Sequence, residues 1–504
     1  MTKKLSSKVL YEFYKELEKY DIENHGLLIM QGHETIYEEY AYPYSADMPH
    51  TLFSVTKSLV STAVGFAIDE GLFSLDSKIL PFFSEYKHPE TDEWDNMTVR
   101  SLLTMNSNKE FSFLQDMTAD YTEIFMKAPF RKKGKGFLYS NNDVHILSAL
   151  LHKLSGESVV DYLDTRLFKP LEIDKPFWET NEKGECIGGT GAYLKLRDLA
   201  KICRCYADGG VYEGKQIIPE FWTREATKKQ VTFDNPENGY GYLFWINGDM
   251  YSMTGMYGQI ISYVPKYDAV VAIMNCCIKE GENERLLKEK LLTAFEEDSD
   301  ETWDEKLREY LDARGEKPLP CNGLPKIPVG KEFYLKKSSD INAKLFFPAS
   351  IIPRTITCSL AKRPKNNIDK VSFDLTDEAL VVNWYEEEDM VTISFGLKGE
   401  PLFSECSIKG YPYKIWAYAY MDNGVLKGVV KPINTLSTQY MSFSFYKNRV
   451  GISMRGTPDT KQFIGKHVNG ADFIRNHPKL CAPIIGGLNR ALDALEKEMI
   501  FKAK

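Results

Sequence analysis

No two cysteines in this chain have C-x-x-C spacing, although nine are present: Cys186, Cys203, Cys205, Cys276, Cys277, Cys321, Cys358, Cys406 and Cys481. An odd, scattered set argues against a disulfide framework or a paired-cysteine zinc site, and reads as reduced thiols, mostly in the core. Also missing is any apolar run long enough to span a bilayer, so no membrane partner is expected. The N-terminal twenty residues carry charges throughout and lack the apolar core of a signal peptide. They read as an exposed amphipathic helix, and the protein is expected in the cytoplasm. With a net charge of −8 and no basic run interleaved with aromatics, nucleic acid is not an expected partner. The chain has no G-x-S-x-G elbow, H-E-x-x-H helix or Walker loop, and the glycine-rich stretch from Gly188 to Gly191 lacks dinucleotide spacing. No cofactor and no metal are expected. The eight histidines are dispersed, and His145 and His152 on one predicted helix read as packing or solvated residues.

What is present is a soluble, globular composition, 43% hydrophobic and 27% charged, in a 504-residue chain long enough for two domains. Up to about residue 300 the periodicities are mixed. "GLLIMQGHETIYEEYAY" predicts two strands around Gly32 and His33, residues 54–70 a buried helix, and "TVRSLLTM", "NNDVHILSALLHKLSG" and "LRDLAKICRCYADGG" further helices. A hairpin follows at "YGQIISYVPKYDAVVAIMN", then a helix at "ERLLKEKLLTAFEE". Strands at both ends with helices between them predict an α+β domain whose ends meet in one antiparallel sheet. A charged, proline- and glycine-rich stretch marks the boundary. Beyond it, segments such as "KVSFDL", "MVTISFGL" and "YMSFSFY" alternate with period two and predict an all-β barrel or sandwich. The expected organisation is a first domain at 1–305, a linker at 306–329 and a β-rich domain at 330–504 that ends in a short helix, "NRALDALEKEMI".

The chemistry centres on "FSVTKSLVSTAVGFAIDEG". Ser54 and Lys57 are three apart at the start of a helix that is apolar or small nearly all round, which predicts burial and stacks hydroxyl and amine on one face. Ser-x-x-Lys also occurs at Ser84–Lys87, Ser359–Lys362 and Ser444–Lys447, none of which opens such a helix. Two readings fit. Ser54 can be a nucleophile whose own N–H faces an oxyanion and whose proton goes to a lysine neutralised by burial. Alternatively, Ser54 is an N-cap and Lys57 snorkels to solvent. A second group, Tyr139-Ser140-Asn141, precedes another apolar helix. A phenol beside the amine can share the serine proton, and the Asn141 amide can bond a substrate carbonyl and the lysine. Alone, that triplet is more often a helix cap and a core tyrosine.

At this point the chain resembles the serine β-lactamase and penicillin-binding-protein superfamily, in its class C β-lactamase and esterase branch. The resemblance runs in order through the Ser54 and Tyr139 segments, "GGTGAYLKLRDLAKICRCYADGG", "YGYLFWIN" and "GMYGQIISYVPKYDAVVAIMN", over about the first 300 residues. It implies a β-lactamase-like catalytic domain, an antiparallel sheet with a helical domain. It also implies Ser54 as acylated nucleophile, Lys57 as its base, Tyr139 as second proton carrier and Asn141 as a binding residue. In the third motif, where the family places Lys-Thr-Gly or His-Thr-Gly, this chain has Met253-Thr254-Gly255, and a register three residues earlier gives Met250-Tyr251-Ser252. Neither supplies the cation that holds a substrate carboxylate. Gly255 and the N–H of Met256 would complete the oxyanion side of the site. "LLTMNSN" also departs, since the family reads serine-glycine after the methionine, and is expected to matter little for catalysis. The implied activity is hydrolysis of a small-molecule ester, amide or peptide through an acyl-enzyme on Ser54. A D-amino-acid peptidase or weak β-lactamase is the alternative enzyme, and a degenerate ligand-binding or assembly protein the alternative outside enzymes.

Overall fold

The computed structural model describes residues 5–503, except 111–119, 135, 182, 278–279, 316–317, 319, 337–367, 387–388, 409–410, 437 and 458–497. The chain divides into two compact units, the first covering Met1–Arg314 and the second beginning at Gly315.

The first unit is built on eight antiparallel strands: β1 (Glu23–Gln31), β2 (Glu34–Tyr40), β3 (Val231–Thr232), β4 (Asn238–Tyr240), β5 (Trp245–Asn247), β6 (Met250–Gly255), β7 (Gln259–Val264) and β8 (Ala269–Cys276), in the order β2-β1-β8-β7-β6-β5-β4-β3. The two ends of the unit meet where β1 pairs with β8, from Glu23 beside Cys276 to Gln31 beside Ala269. Both faces of this sheet are covered, so β1 and β8 read as continuous apolar runs rather than alternating ones. Leu27, Ile29, Val271 and Ile273 face one core together with helix α1 (Ser7–Lys19). Leu28, Val270, Ala272 and Met274 face the other, with helices α2 (Val55–Asp69), α3 (Asn141–Ser155) and α4 (Leu196–Ala207). Helix α1 is amphipathic as expected but not exposed. Val9, Leu10, Phe13, Tyr14 and Leu17 are buried against the sheet because their i, i+4 spacing forms one apolar stripe.

The expected linker begins inside a helix, α5 (Glu301–Ala313), whose Leu307 joins the α1 core. Its charges mask an apolar stripe of Trp303, Leu307, Tyr310 and Leu311, and Trp303 and Tyr310 both pack on Tyr11 of α1. The helix expected at "ERLLKEKLLTAFEE" is broken into an α-helix at Glu280–Glu289 and a 3-10 turn at Leu291–Phe295.

Among the described residues the second unit is a nine-stranded β-barrel with a tenth strand, β13, paired on its edge: β9 (Glu332–Leu335), β10 (Ile368–Leu375), β11 (Ala379–Glu386), β12 (Asp389–Gly396), β13 (Leu402–Ile408), β14 (Tyr411–Asp422), β15 (Val425–Pro432), β16 (Thr438–Tyr446), β17 (Arg449–Thr457) and β18 (Met499–Ala503). The order is β12-β11-β10-β9-β18-β17-β16-β15-β14-β13, and Gly396 of β12 beside Tyr418 of β14 closes it. Phe373, Trp384, Phe395 and Phe501 fill the interior with no exposed surface. The last two residues of the expected terminal helix are in a strand instead. Residues 489–497 of that stretch lie outside the described residues, but Met499 and Ile500 are in β18, where Met499 and Phe501 alternate into the barrel. The stretch is too short to separate a helical from a strand period.

Candidate active site

Helix α2 is buried along its whole length from Val55 to Ala67, polar residues included. Gly65 allows this, because a Cβ there would fall 2.3 Å from the Trp222 ring. Its hydroxyls are satisfied internally: Ser58 donates to the Leu243 carbonyl at 2.7 Å and Ser61 to the Tyr242 carbonyl at 2.6 Å. Ser54 occupies the N-cap position, yet its side chain makes no capping hydrogen bond. The N-cap reading therefore fails, and the hydroxyl is held by Lys57. The amine does not snorkel either, since Lys57 is only 1% exposed.

Lys57 Nζ reaches Ser54 Oγ at 2.8 Å, Asn141 Oδ1 at 2.7 Å and the Gly189 carbonyl at 2.6 Å. Burial pushes its pKa down from 10.5 to about 7. A neutral amine has two N–H groups and one lone pair. The two carbonyl oxygens can only accept, so they take the N–H groups, and the lone pair is left for the Ser54 hydroxyl to donate into. In the neutral amine this three-partner geometry leaves Lys57 able to accept from the one group that has a proton to give.

Asn141 and Gly189 are brought together by close packing. A Cβ on Gly189 would lie 2.8 Å from the Asn141 Cβ, and one on Gly188 would lie 2.6 Å from the Val144 carbonyl of α3. The glycines of "GGTG" therefore let a loop touch the helix and aim a carbonyl at Lys57, a role with no distinct signal in the sequence. Tyr139 lies over the amine, with Lys57 Nζ 4.8 Å from its ring centroid, and is 37% exposed, which puts the phenol at the mouth of the site. The loop at "LLTMNSN" is tied to this segment. Leu138 N–H donates to the Met105 carbonyl, Gly136 N–H to Asn108 Oδ1, and Ser107 Oγ to Asp143 Oδ1. Met105 and Asn108 hold left-handed backbone conformations, φ 56° and 55°. These bonds tie the departing loop to the Tyr139 segment.

Gly255 ends β6 where a Cβ would fall 2.4 Å from the Leu52 carbonyl, and this brings the Met253-Thr254-Gly255 register, not the earlier one, beside the start of α2. Met253 is 1% exposed and belongs to the core around α2. It is buried rather than a wall of the site, so no cation comes from that slot. Met256 follows in the turn, its carbonyl accepting from Gln259 Nε2 at 3.2 Å, while the same amide donates to the Asn275 carbonyl at 2.8 Å. Phe53 and Tyr257, which flank Ser54 and Met256, were not singled out from sequence. Both are non-glycine residues in the left-handed region, φ 46° and 68°, and their rings meet edge to face at 5.4 Å. Such conformations cost of order 1–3 kcal/mol each and persist only where the surroundings impose them. Here they turn the backbone just before Ser54 and just after Met256, and only a structure could show it.

An α+β domain with a Ser-x-x-Lys at a helix start, its lysine buried, a Tyr-Ser-Asn segment over it and a strand end alongside defines a β-lactamase-like fold. The Beta-lactamase family model matches residues 13–277, more than half of the chain, and the chain belongs to that family. It is 25% identical over 282 residues to a 6-aminohexanoate-dimer hydrolase of Paenarthrobacter ureafaciens, covering 49% of this chain and 71% of the relative. It is also 25% identical over 290 residues to an uncharacterised protein of Alkalihalophilus pseudofirmus, covering 51% and 80%. Among solved structures, a candidate 6-aminohexanoate-dimer hydrolase from Bacillus anthracis superposes with a TM-score of 0.50 at 16% identity, covering 56% of this chain and 81% of the other. That likeness bears on the fold. Among the described residues no helix is long and apolar enough to cross a membrane.

Proposed function

We propose that the protein is a serine hydrolase that cleaves an ester or amide of a small molecule through an acyl-enzyme on Ser54. Family membership supports hydrolysis, as does the relative named as a 6-aminohexanoate-dimer hydrolase. The observation that carries the reading is the placement of Lys57, whose depressed pKa and two carbonyl acceptors leave its lone pair to the Ser54 hydroxyl. In the proposed reaction Ser54 Oγ bonds to the substrate carbonyl carbon as its proton passes to Lys57 Nζ. The N–H groups of Ser54 and Met256 hold the oxyanion. The Tyr139 hydroxyl relays the proton to the leaving oxygen or nitrogen as its bond to carbon breaks. Water then attacks the ester on Ser54, gives its proton to the same groups, and Ser54 recovers its own.

The test is labelling with a small alkyl fluorophosphonate, read by intact mass and peptide mapping, followed by a panel of neutral esters and amides. Ser54 is expected to be the one serine modified. Modification of another serine, or none in well-folded protein, overturns the hydrolase reading and favours a ligand-binding member of the family.

A further inference from the structure

An aromatic cluster continues outward from Tyr139. Its ring stacks on Trp245 of β5, with centroids 5.4 Å apart and planes at 29°. Trp245 in turn meets Tyr240 edge to face at 5.0 Å, and Phe137 and Phe233 each at 6.2 Å. Tyr240 is fully enclosed, whereas Phe137, Phe233 and Trp245 are half-buried and Tyr139 is more exposed still. The cluster is therefore a wall with a solvent-facing side, backed by a packed one. Its position is fixed to the nucleophile helix: the Ser58 and Ser61 hydroxyls of α2 bond the carbonyls of Leu243 and Tyr242, two and three residues before Trp245. The inner end of the wall is the ring that lies 4.8 Å from Lys57 Nζ.

Resting on the hydrolase reading of Ser54, we infer that Tyr139 and Trp245, with Phe137 and Phe233, form the leaving-group subsite, and that the substrate's alcohol or amine portion carries an aryl or similarly broad apolar group. The side of the substrate follows from the proton's route. If the Tyr139 hydroxyl returns the proton, the leaving oxygen or nitrogen must come within hydrogen-bond reach of it. Whatever is attached to that atom then lies along the rings packed on Tyr139. A flat apolar group placed there gains stacking and buried area, and the half-exposed rings lose water that they hold poorly. The acyl-enzyme no longer contains the leaving group, so the subsite acts on acylation and leaves deacylation alone.

The experiment compares 3-phenylpropyl acetate with propyl acetate. Both alcohols leave with similar basicity and both give the same acetyl-enzyme. The wild-type protein is expected to favour the phenylpropyl ester by about tenfold or more in kcat/KM, the scale of one added aromatic contact with its buried area. In Trp245→Ala that ratio falls to about threefold or less, and in Phe233→Ala it falls part of the way. Where deacylation limits turnover, kcat is the same for the two esters. Phe233→Ala and Trp245→Phe decide the matter if Trp245→Ala does not fold. Labelling of Ser54 by a small fluorophosphonate, whose fluoride leaving group needs no subsite, is measured in the same proteins. No labelling of the wild-type protein overturns the hydrolase reading, and the subsite with it. Normal labelling with a wild-type ratio near one, or a ratio unchanged by the substitutions, overturns the subsite alone. A selectivity that responds to the acyl chain and alters deacylation overturns its assignment to the leaving-group side.

Discussion

Among the described residues the first unit buries two lysines, and they differ in what surrounds them. Lys57 and Lys109 are 1% and 0% exposed, and burial pushes both amines down to about 7. Lys109 Nζ bonds one carbonyl, that of Ala128 at 2.8 Å, and otherwise faces the rings of Trp94 at 3.8 Å and Phe130 at 3.9 Å. Those ring faces and the nearby Asp143 favour the ammonium, against the larger effect of burial. Lys57 has two carbonyls and a hydroxyl around it, and burial is the cause of its shift. A depressed lysine is therefore not a functional signature in itself. What separates the two is whether the neutral amine has a proton donor at its lone pair.

The comparison breaks most sharply by mutation. Lys57→Met is expected to lower kcat for a neutral ester by at least ~100-fold, the usual scale for a general acid–base group, with Tyr139→Phe approaching it where the leaving group is poor. Lys109→Met should change kcat by less than about threefold, because its cage contains no reacting group. Steady-state rates at pH 8, with circular dichroism to establish folding, are the measurement. A loss in Lys109→Met equal to that in Lys57→Met would mean that the aromatic cage, not the serine contact, matters.

A second measurement sharpens the contrast between charge that is present and charge that is missing. Met253 stands where the family places a cation, and it is buried. A substrate carboxylate brought to that side would lose water without gaining a partner, a cost of about 1–3 kcal/mol. In a pair of substrates matched except for one carboxylate, the neutral member should have the higher kcat/KM by about tenfold. The reverse preference would assign the holding charge to another residue, with the exposed Lys132 and Lys133 before Tyr139 the first to substitute.

How much of this was legible in the sequence depends on how local each signal was. Ser54 and Lys57 could be read because one helix sets their spacing, and the α2 burial that neutralises the lysine shows as an apolar run. The Tyr139 and Asn141 segment was legible as a motif, but its docking on Gly189 was not, since that contact joins residues far apart in the chain. The left-handed Phe53 and Tyr257 were invisible for a different reason. Nothing in an aromatic side chain predicts positive φ; the packing of two turns imposes it. In the barrel, the alternating strands were plain where one face was apolar and the other polar. β13 was missed because "LFSECSI" mixes the two, and β18 because its residues follow a helix-like stretch.

The smallest effect tests whether Lys57 is neutral in the folded protein. Its pKa is about 7 in the fold against an ordinary 10.5, so between those values the unfolded chain binds a proton that the native state does not. Stability attributable to this residue therefore rises with pH from 7 toward 10.5 and is lowest below 7, with a slope of at most ~1.4 kcal/mol per pH unit. Lys109 contributes a slope of the same sign over the same window. Asp143, raised from 3.8 to about 7, acts below it, where the fold holds a proton that the unfolded chain has lost. Replacing Lys57 by Met should thus flatten the rise in Tm between pH 7 and 9.5, and a Lys57→Met, Lys109→Met double variant should flatten it further. The informative quantity is the difference in Tm between variant and wild type, because the lost hydrogen bonds to Asn141 and Gly189 lower the variant by an amount that does not depend on pH. A difference that stays constant from pH 7 to 9.5 would show Lys57 charged in the fold, and the proton of Ser54 would then need another acceptor.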